Sequence, residues 1–426
     1  MAAALHGLLL FTVSGYEGSF KKRTRAMRDG CATFFKKSLF DCEASVPVEY
    51  LVPDVASLDR DNVALLLLLR PKCPVVSSEQ SPVMSSEQSP VVKLCVANTH
   101  LLFNPRRGDV KLAQLMKLFA EIDRLTYQPC PAGPRHRNYH PVLVCGDMNA
   151  EPFSHLYRFI RRGKLVLDGQ PAAKLSGQER RWSYGHRHPM AAGFLGKRAG
   201  LTDQSQYVSV CRERFNEVVD AACDRAVDDV PCETCPLSDA DPVPGVSVGC
   251  MQEKPPIFTQ GTGTVTHTFG LDSAYTHVMS PSDDKGRHHY KSAREVTTCH
   301  SRANCTVDYI FYTPSVSDVN HYGNDSNPCD SESQTTHNND AEQWKLSTSC
   351  DSALSTSNNK SHTDDVEQSS VSNSTSVCRV SDYRLTLVAR LPLLSDKDMK
   401  RIGPLPNKFI SSDHLMLGAQ FLLTTG

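Results

Sequence analysis

The sequence predicts an α/β fold in which apolar strands are covered on both faces, and three observations carry that prediction. The run Asn62-Val63-Ala64-Leu65-Leu66-Leu67-Leu68-Leu69 has no polar alternation, a pattern expected of a strand buried on both sides. Between residues 91 and 160 the apolar spacing switches from period two to a helical period and back, giving strand, helix, strand, helix. Side chains suited to proton transfer or to holding a cation stand at the ends of several strands, where sheets of this class place their sites. At 426 residues the chain has room for two or three domains or for one large unit, so length alone does not choose.

Charge and cysteines narrow the class. A formal net charge of -1 argues against a polybasic nucleic-acid coat, so any contact with nucleic acid should be local. The 16 cysteines are scattered through strands (Cys95, Cys145) and polar stretches (Cys329, Cys350) without the spacing of a disulfide scaffold. Reduced thiols are expected, and with them a cytoplasmic or nuclear setting. Cys232 and Cys235 form one C-x-x-C with no second pair or His partner at finger-like spacing, so zinc is not expected there. Residues 1–13 are apolar but lack a basic leader region and a cleavage site, and are too short to span a bilayer, so no membrane association is expected. Two formal sequons, at Asn324 and Asn373, lie in Ser/Asn-rich sequence that produces them by chance.

In chain order, residues 15–20 and 29–35 read as a strand pair around a basic turn, with Asp29-Gly30 as the turn signal. Strands follow at 40–43, 48–50 and 62–69. Residues 77–84 are repeated at 85–91, Ser-Ser-Glu-Gln-Ser-Pro-Val; a polar duplication this short cannot bury a core, so the segment 74–91 reads as a surface loop. The next strand, 91–102, ends in Asn98-Thr99-His100-Leu101. Val110, Leu112, Leu115, Leu118, Phe119 and Ile122 then recur at helical spacing, with Asp109 read as the N-cap. After a proline-rich connector comes Val142-Leu143-Val144-Cys145-Gly146-Asp147-Met148-Asn149, a strand that stops at a glycine and presents an acid and an amide two positions apart. A short helix is expected over 153–160. The middle of the chain is weakly patterned, with strand character at 265–269 and 295–298. A firm strand returns at Thr306-Val307-Asp308-Tyr309-Ile310-Phe311-Tyr312. Residues 314–378 are rich in Ser, Asn, Asp and Thr and read as disordered. Closing strands are expected at 383–391 and 416–423, separated by Ser411-Ser412-Asp413-His414.

Four positions therefore carry proton-transfer or cation-binding chemistry: His100, the Asp147/Asn149 pair, Asp308, and the Asp413/His414 pair. Singly each has a plain reading: Gly-Asp-x-Asn is also a common turn, His100 fits a hydrogen-bonded core histidine, and Asp413-His414 fits a cap. Together they match what phosphodiester hydrolysis requires, namely a base for the attacking water, positive charge against the phosphate and help for the leaving oxygen.

These segments resemble the successive motifs of the endonuclease/exonuclease/phosphatase superfamily: Asn98-Thr99-His100-Leu101, Cys145-Gly146-Asp147-Met148-Asn149, Thr306-Val307-Asp308-Tyr309 and Ser411-Ser412-Asp413-His414. Further stretches are similar to its deadenylase-like group with nocturnin and most of all to the angel homologs: residues 58–63, Asn104-Pro105-Arg106-Arg107-Gly108-Asp109, Ser176-Gly177-Gln178 and Glu295-Val296-Thr297-Thr298-Cys299-His300. The resemblance implies a two-sheet α/β sandwich, residues 15–426, interrupted by the repeat 74–91 and the insert 314–378, after an atypical N-terminus over 1–14. It implies a site that uses magnesium, or manganese in its place. Asp147 would orient or deprotonate the attacking water, Asn149 would position water or phosphate, and His100 would contact the phosphate. His414 would bind the scissile phosphate oxygen or assist proton transfer, oriented by Asp308, with Asp413 near the metal and Arg106 and Arg107 on the phosphate backbone. The implied substrate is an RNA 3′ end, a poly(A) tail in some branches and a 2′,3′-cyclic phosphate in the angel branch.

Relatives begin with two strands upstream of the Gly15-Tyr16 segment, the second ending in a Gln-Glu pair whose Glu is the main metal ligand. This chain has no acidic residue before Gly15. The expectation is of an N-terminally truncated sandwich missing its first strands, which binds magnesium weakly and hydrolyses little. A non-catalytic RNA- or protein-binding product of the same fold is the second reading, separable from the first by measuring RNA affinity beside turnover. A lipid or inositol phosphatase is a third, disfavoured by the Arg106-Arg107-Gly108 and 295–300 stretches.

Overall fold

The structure is a computed structural model that describes residues 14–72, 92–129, 138–178, 189–214, 259–275, 277, 295–300, 303–314 and 383–425. The repeat, the Cys232/Cys235 pair, both sequons and nearly all of the Ser/Asn-rich insert lie outside those residues. The described residues belong to one compact unit, 1–318 with 377–426.

The organising element is a six-stranded mixed sheet. Its strands, numbered here in chain order, are β3 (Phe40–Glu49), β4 (Val63–Pro71), β5 (Leu94–His100), β6 (Val142–Asp147), β7 (Asp272–Ser273) and β8 (Asp308–Tyr312). They lie in the order β7-β8-β6-β5-β4-β3. Only the β5/β6 pair is parallel; every other neighbour is antiparallel. The parallel pair requires a crossover, supplied by helix α1 (Gly108–Thr126), and α2 (His155–Arg162) follows β6.

Period two divides each strand between two layers. Ala64, Leu66 and Leu68 of β4, Cys95 and Ala97 of β5, Val142 and Val144 of β6, and Tyr309 and Phe311 of β8 join the helices in the main core. The alternate residues face two hairpins on the opposite side. Val63, Leu65, Leu67 and Leu69 pack with Cys31 and Phe35 of the hairpin β1 (Tyr16–Lys22) and β2 (Gly30–Lys36). Leu94 and Tyr312 pack with Leu385 of the hairpin β9 (Tyr383–Arg390) and β10 (Ala419–Thr425). That is why the aliphatic run has no polar alternation. Among the described residues the second layer consists of these two hairpins, each a separate two-stranded sheet.

Two details differ from the sequence reading. Residues 40–50, expected as two short strands, form one edge strand whose register shifts between Cys42 and Ala44; the bulge and Pro47 break the alternation that signals a single strand. Helix α1 begins two residues early, at Gly108 with Arg107 as the N-cap, so Asp109 lies in its first turn. The start is set by packing, since a Cβ at Gly108 would meet Ala172 O at 2.3 Å. No helix among the described residues is long and apolar enough to cross a membrane.

Candidate active site

Sheet register builds the site. β5 runs parallel to β6 with His100 opposite Asp147, and β8 runs antiparallel to β6 with Asp308 opposite the same Asp147. Neighbours in register share a face, so three titratable side chains from three strands stand in one row at one rim. His414 reaches the row from the chain's far end. Cys299 N donates to Asp413 O (3.1 Å) and Leu415 N to Thr297 O (2.7 Å), while Thr297 Oγ1 accepts from the backbone N–H of Val307 and Asp308. His414 Nδ1 then lies 2.8 Å from Asp308 Oδ2, and its Nε2 is 4.0 Å from Asp147 Oδ2. His100 Nε2 stands 3.5 Å from that same oxygen.

The electrostatics follow from crowding. Burial, and then Asp308 beside it, push the Asp147 carboxyl up to about 7. The hydrogen bond to Asp308 raises His414 to about 9, with Asp308 and Asp147 adding attraction against a burial cost. His100 is lowered, first by burial and then by Arg23 and His414. The row can therefore hold a carboxylate that accepts a proton near neutrality beside an imidazole kept cationic.

One ligand atom each of Asp147, Asp308 and His414 lies within 4.8 Å of the others. Two carboxylates that repel one another suit a hard divalent cation, and magnesium commonly takes one or two carboxylates and fills its remaining positions with water and phosphate oxygens. His414 Nδ1 is committed to Asp308, so oxygen atoms are the better donors. Asp413, read as the metal residue, is exposed and lies outside this donor set; its backbone carbonyl, by accepting from Cys299 N, carries the local geometry.

Asn149 packs directly against the Asp147 carboxylate. It is 3% exposed, and its Nδ2 donates to Leu101 O (3.0 Å) and Asp147 Oδ2 (3.3 Å) while its N–H donates to Asp147 Oδ1 (2.8 Å). It positions the carboxylate. Of the two arginines, Arg107 is held in a fork by Asp109 with contacts of 2.8 to 3.2 Å, whereas Arg106 is exposed.

The endonuclease/exonuclease/phosphatase family pattern matches the chain over residues 2–330. The chain belongs to the endonuclease/exonuclease/phosphatase family. Its central mixed sheet with helices on one face is the fold of that family, whose enzymes are generally dependent on a divalent metal. Protein angel homolog 1 of Mus musculus is 33% identical over 424 residues, 96% of this chain and 52% of that protein. Protein angel homolog 2 of Homo sapiens is 33% identical over 413 residues, 96% of this chain and 56% of that protein. The chain thus spans about half the length of these relatives. The crystal structure of ANGEL2, a 2′,3′-cyclic phosphatase, in complex with adenosine-2′,3′-vanadate is similar at 30% identity and a TM-score of 0.56, over 96% of this chain and 75% of that one.

The remaining family motifs brace the row. Asn62 Nδ2 donates to His100 O, and Glu151 N donates to Ser176 O. Lys111, which the sequence analysis passed over, is fully buried: its Nζ donates to Asn149 O (2.6 Å) and to Gln178 Oε1 (2.9 Å). Burial lowers this ammonium to about 7 despite Asp147 and Glu151. Lys111→Met would remove the desolvation cost but leave two buried acceptors unpaired, each worth about 1–3 kcal/mol. The expected result is a melting temperature several degrees lower in a thermal scan, as the Asp147–Asn149 turn loses its anchor.

Proposed function

We propose that this chain hydrolyses phosphodiesters at RNA 3′ ends, and that the 2′,3′-cyclic phosphate is the ester it opens. The observation that carries the proposal is Asp147 flanked by His100 and His414 in one row. The similarity to ANGEL2 across 96% of the chain supports the choice of ester. A water against Asp147 gives its proton to that carboxylate as its oxygen bonds to phosphorus, the bond to one ribose oxygen breaks, and that oxygen leaves as a hydroxyl by taking a proton from water. His414, protonated and held by Asp308, offsets charge on the phosphoryl oxygens, and His100 contacts the phosphate. A divalent cation, magnesium or manganese, would be held by Asp147 and Asp308 and would add positive charge against the phosphate. With two carboxylates as its protein ligands, weak affinity for that cation is expected.

The test is the rate of ring opening of an oligoribonucleotide ending in a 2′,3′-cyclic phosphate, followed against pH. The rate should fall through about 9 as His414, charged below that value, loses its proton. Asp308→Asn removes the largest cause of the His414 shift and returns the ring toward its ordinary value. The descending limb then moves to lower pH, and at about pH 8 the rate, taken relative to that variant's own maximum, drops by roughly 30-fold. No hydrolysis by the wild-type chain, or a descending limb that ignores Asp308, would overturn the reading.

A further inference from the structure

We propose that Arg23, in the turn of the β1–β2 hairpin, binds the RNA phosphate one nucleotide 5′ of the terminal one. The inference rests on the RNA 3′-end reading and extends it to the substrate's second phosphate.

The turn is fastened to the rim of the sheet. Arg23 N donates to Asp29 O (3.0 Å), closing the hairpin, and Arg23 Nη1 lies 3.1 Å from Asp29 Oδ2. Thr24 Oγ1 donates to Asp61 Oδ1 (2.6 Å) and Thr24 N to Asp61 O (3.3 Å). The next residue, Asn62, donates to His100 O (3.0 Å), and Asn98 Nδ2 of β5 donates to Ala32 O of β2 (2.8 Å). Arg23 is thus anchored through two short links to the backbone of His100.

Its direction of approach decides which phosphate it meets. The turn docks on residues 59–62, ahead of β4, so Arg23 enters from the β4 side of His100. Asp308 and His414 stand on the β8 side. A terminal phosphate held between Asp147 and His414 has Arg23 on the other side of His100, so a strand that leaves the site across β5 would bring its next phosphate to Arg23. Arg23 is also incompletely used: its Nε is buried without a hydrogen-bond partner, and only its Nη1 meets Asp29. A buried, unpaired N–H on a guanidinium costs free energy unless an acceptor arrives, and phosphate oxygens match the guanidinium fork. Asp29, whose carboxyl is more than half exposed, can share its cation with such an acceptor.

The experiment measures binding of a single-stranded hexaribonucleotide carrying a 3′-phosphate, beside a nucleoside 3′-monophosphate, across a range of salt. Each phosphate neutralised on a single strand contributes about 0.7 to the slope of log affinity against log salt. Arg23→Gln is expected to lower that slope for the hexamer by about 0.7, with about tenfold weaker binding, and to leave the mononucleotide unchanged. Arg23→Lys should restore the slope, and Asp29→Asn, which breaks the same ion pair, should keep it. An unchanged slope in Arg23→Gln would overturn the proposal, as would equal losses for hexamer and mononucleotide, or an Asp29→Asn chain that reproduces the Arg23→Gln loss. Failure of the wild-type chain to open a cyclic phosphate would count against the function reading alone, since the salt slope needs no turnover.

Discussion

An Asp147→Asn chain is expected to open the cyclic phosphate about 10²–10⁴-fold more slowly than wild type, yet to melt at the same temperature or higher. The carboxylate is buried and faces Asp308 across paired strands, which is why its proton is held up to about 7. An ionised Asp147 is thus a cost to the fold above that pH. Asparagine keeps an oxygen to accept from Asn149 N while removing the like charge. The sign can be checked without RNA. A carboxyl whose folded value is raised makes its largest contribution to stability below about 4 and loses it as pH climbs through about 7. The wild-type melting temperature, measured with chelator, should therefore fall relative to Asp147→Asn as pH climbs through about 7. Opposite movements of rate and stability would mark a site that holds charge at the expense of the fold. A rate within tenfold of wild type would remove Asp147 from the role of base.

The elements were legible where one segment carries its own pattern. β4 announced itself by an aliphatic run, α1 by its spacing and β8 by its β-branched and aromatic residues. His100, Asp147 and Asp308 were legible as strand-end residues, but their shared level was not, because register depends on partners far apart in sequence. Lys111 was missed since a lysine in an amphipathic helix ordinarily reads as a solvated position, and nothing local shows that Asn149 O and Gln178 Oε1 wait above it. Arg23 read as part of a basic turn, and its meaning came only from the docking of that turn on residues 59–62. Asp109 was read as a cap because acids favour both the cap and the first turn; in the structure it lies in the first turn and holds Arg107, two residues before it. Asn149 carried the right residue type, but its burial against Asp147 and Leu101 depends on packing that the sequence does not show.

Gly146→Ala should be the most damaging added methyl group among the described glycines. Gly146 has φ of +136°, a backbone conformation closed to L side chains, and a Cβ there would meet Thr99 O at 1.9 Å and Thr99 C at 2.9 Å. These are backbone atoms of the parallel partner strand, so no rotamer relieves the contact; β5 and β6 must part. Thr99 pairs with Gly146 one step before His100 pairs with Asp147, and Tyr309 on the other side pairs with the same glycine. The overlap therefore sits in the middle strand of the site, next to the residue that carries its chemistry. A loss of at least about 4 kcal/mol is expected, a large share of the roughly 5–15 kcal/mol that holds a domain of ordinary stability together. Gly169→Ala supplies the comparison. Gly169 also has a positive φ, +68°, but nothing lies within 4 Å of its Cβ position, so the change there should cost only the backbone strain of about 1–2 kcal/mol. Urea titrations of the two variants decide the matter: midpoints that fall together would mean that the strand pair yields easily. A wide separation would mean that the Thr99–Gly146 contact is a rigid part of the frame holding His100 to Asp147.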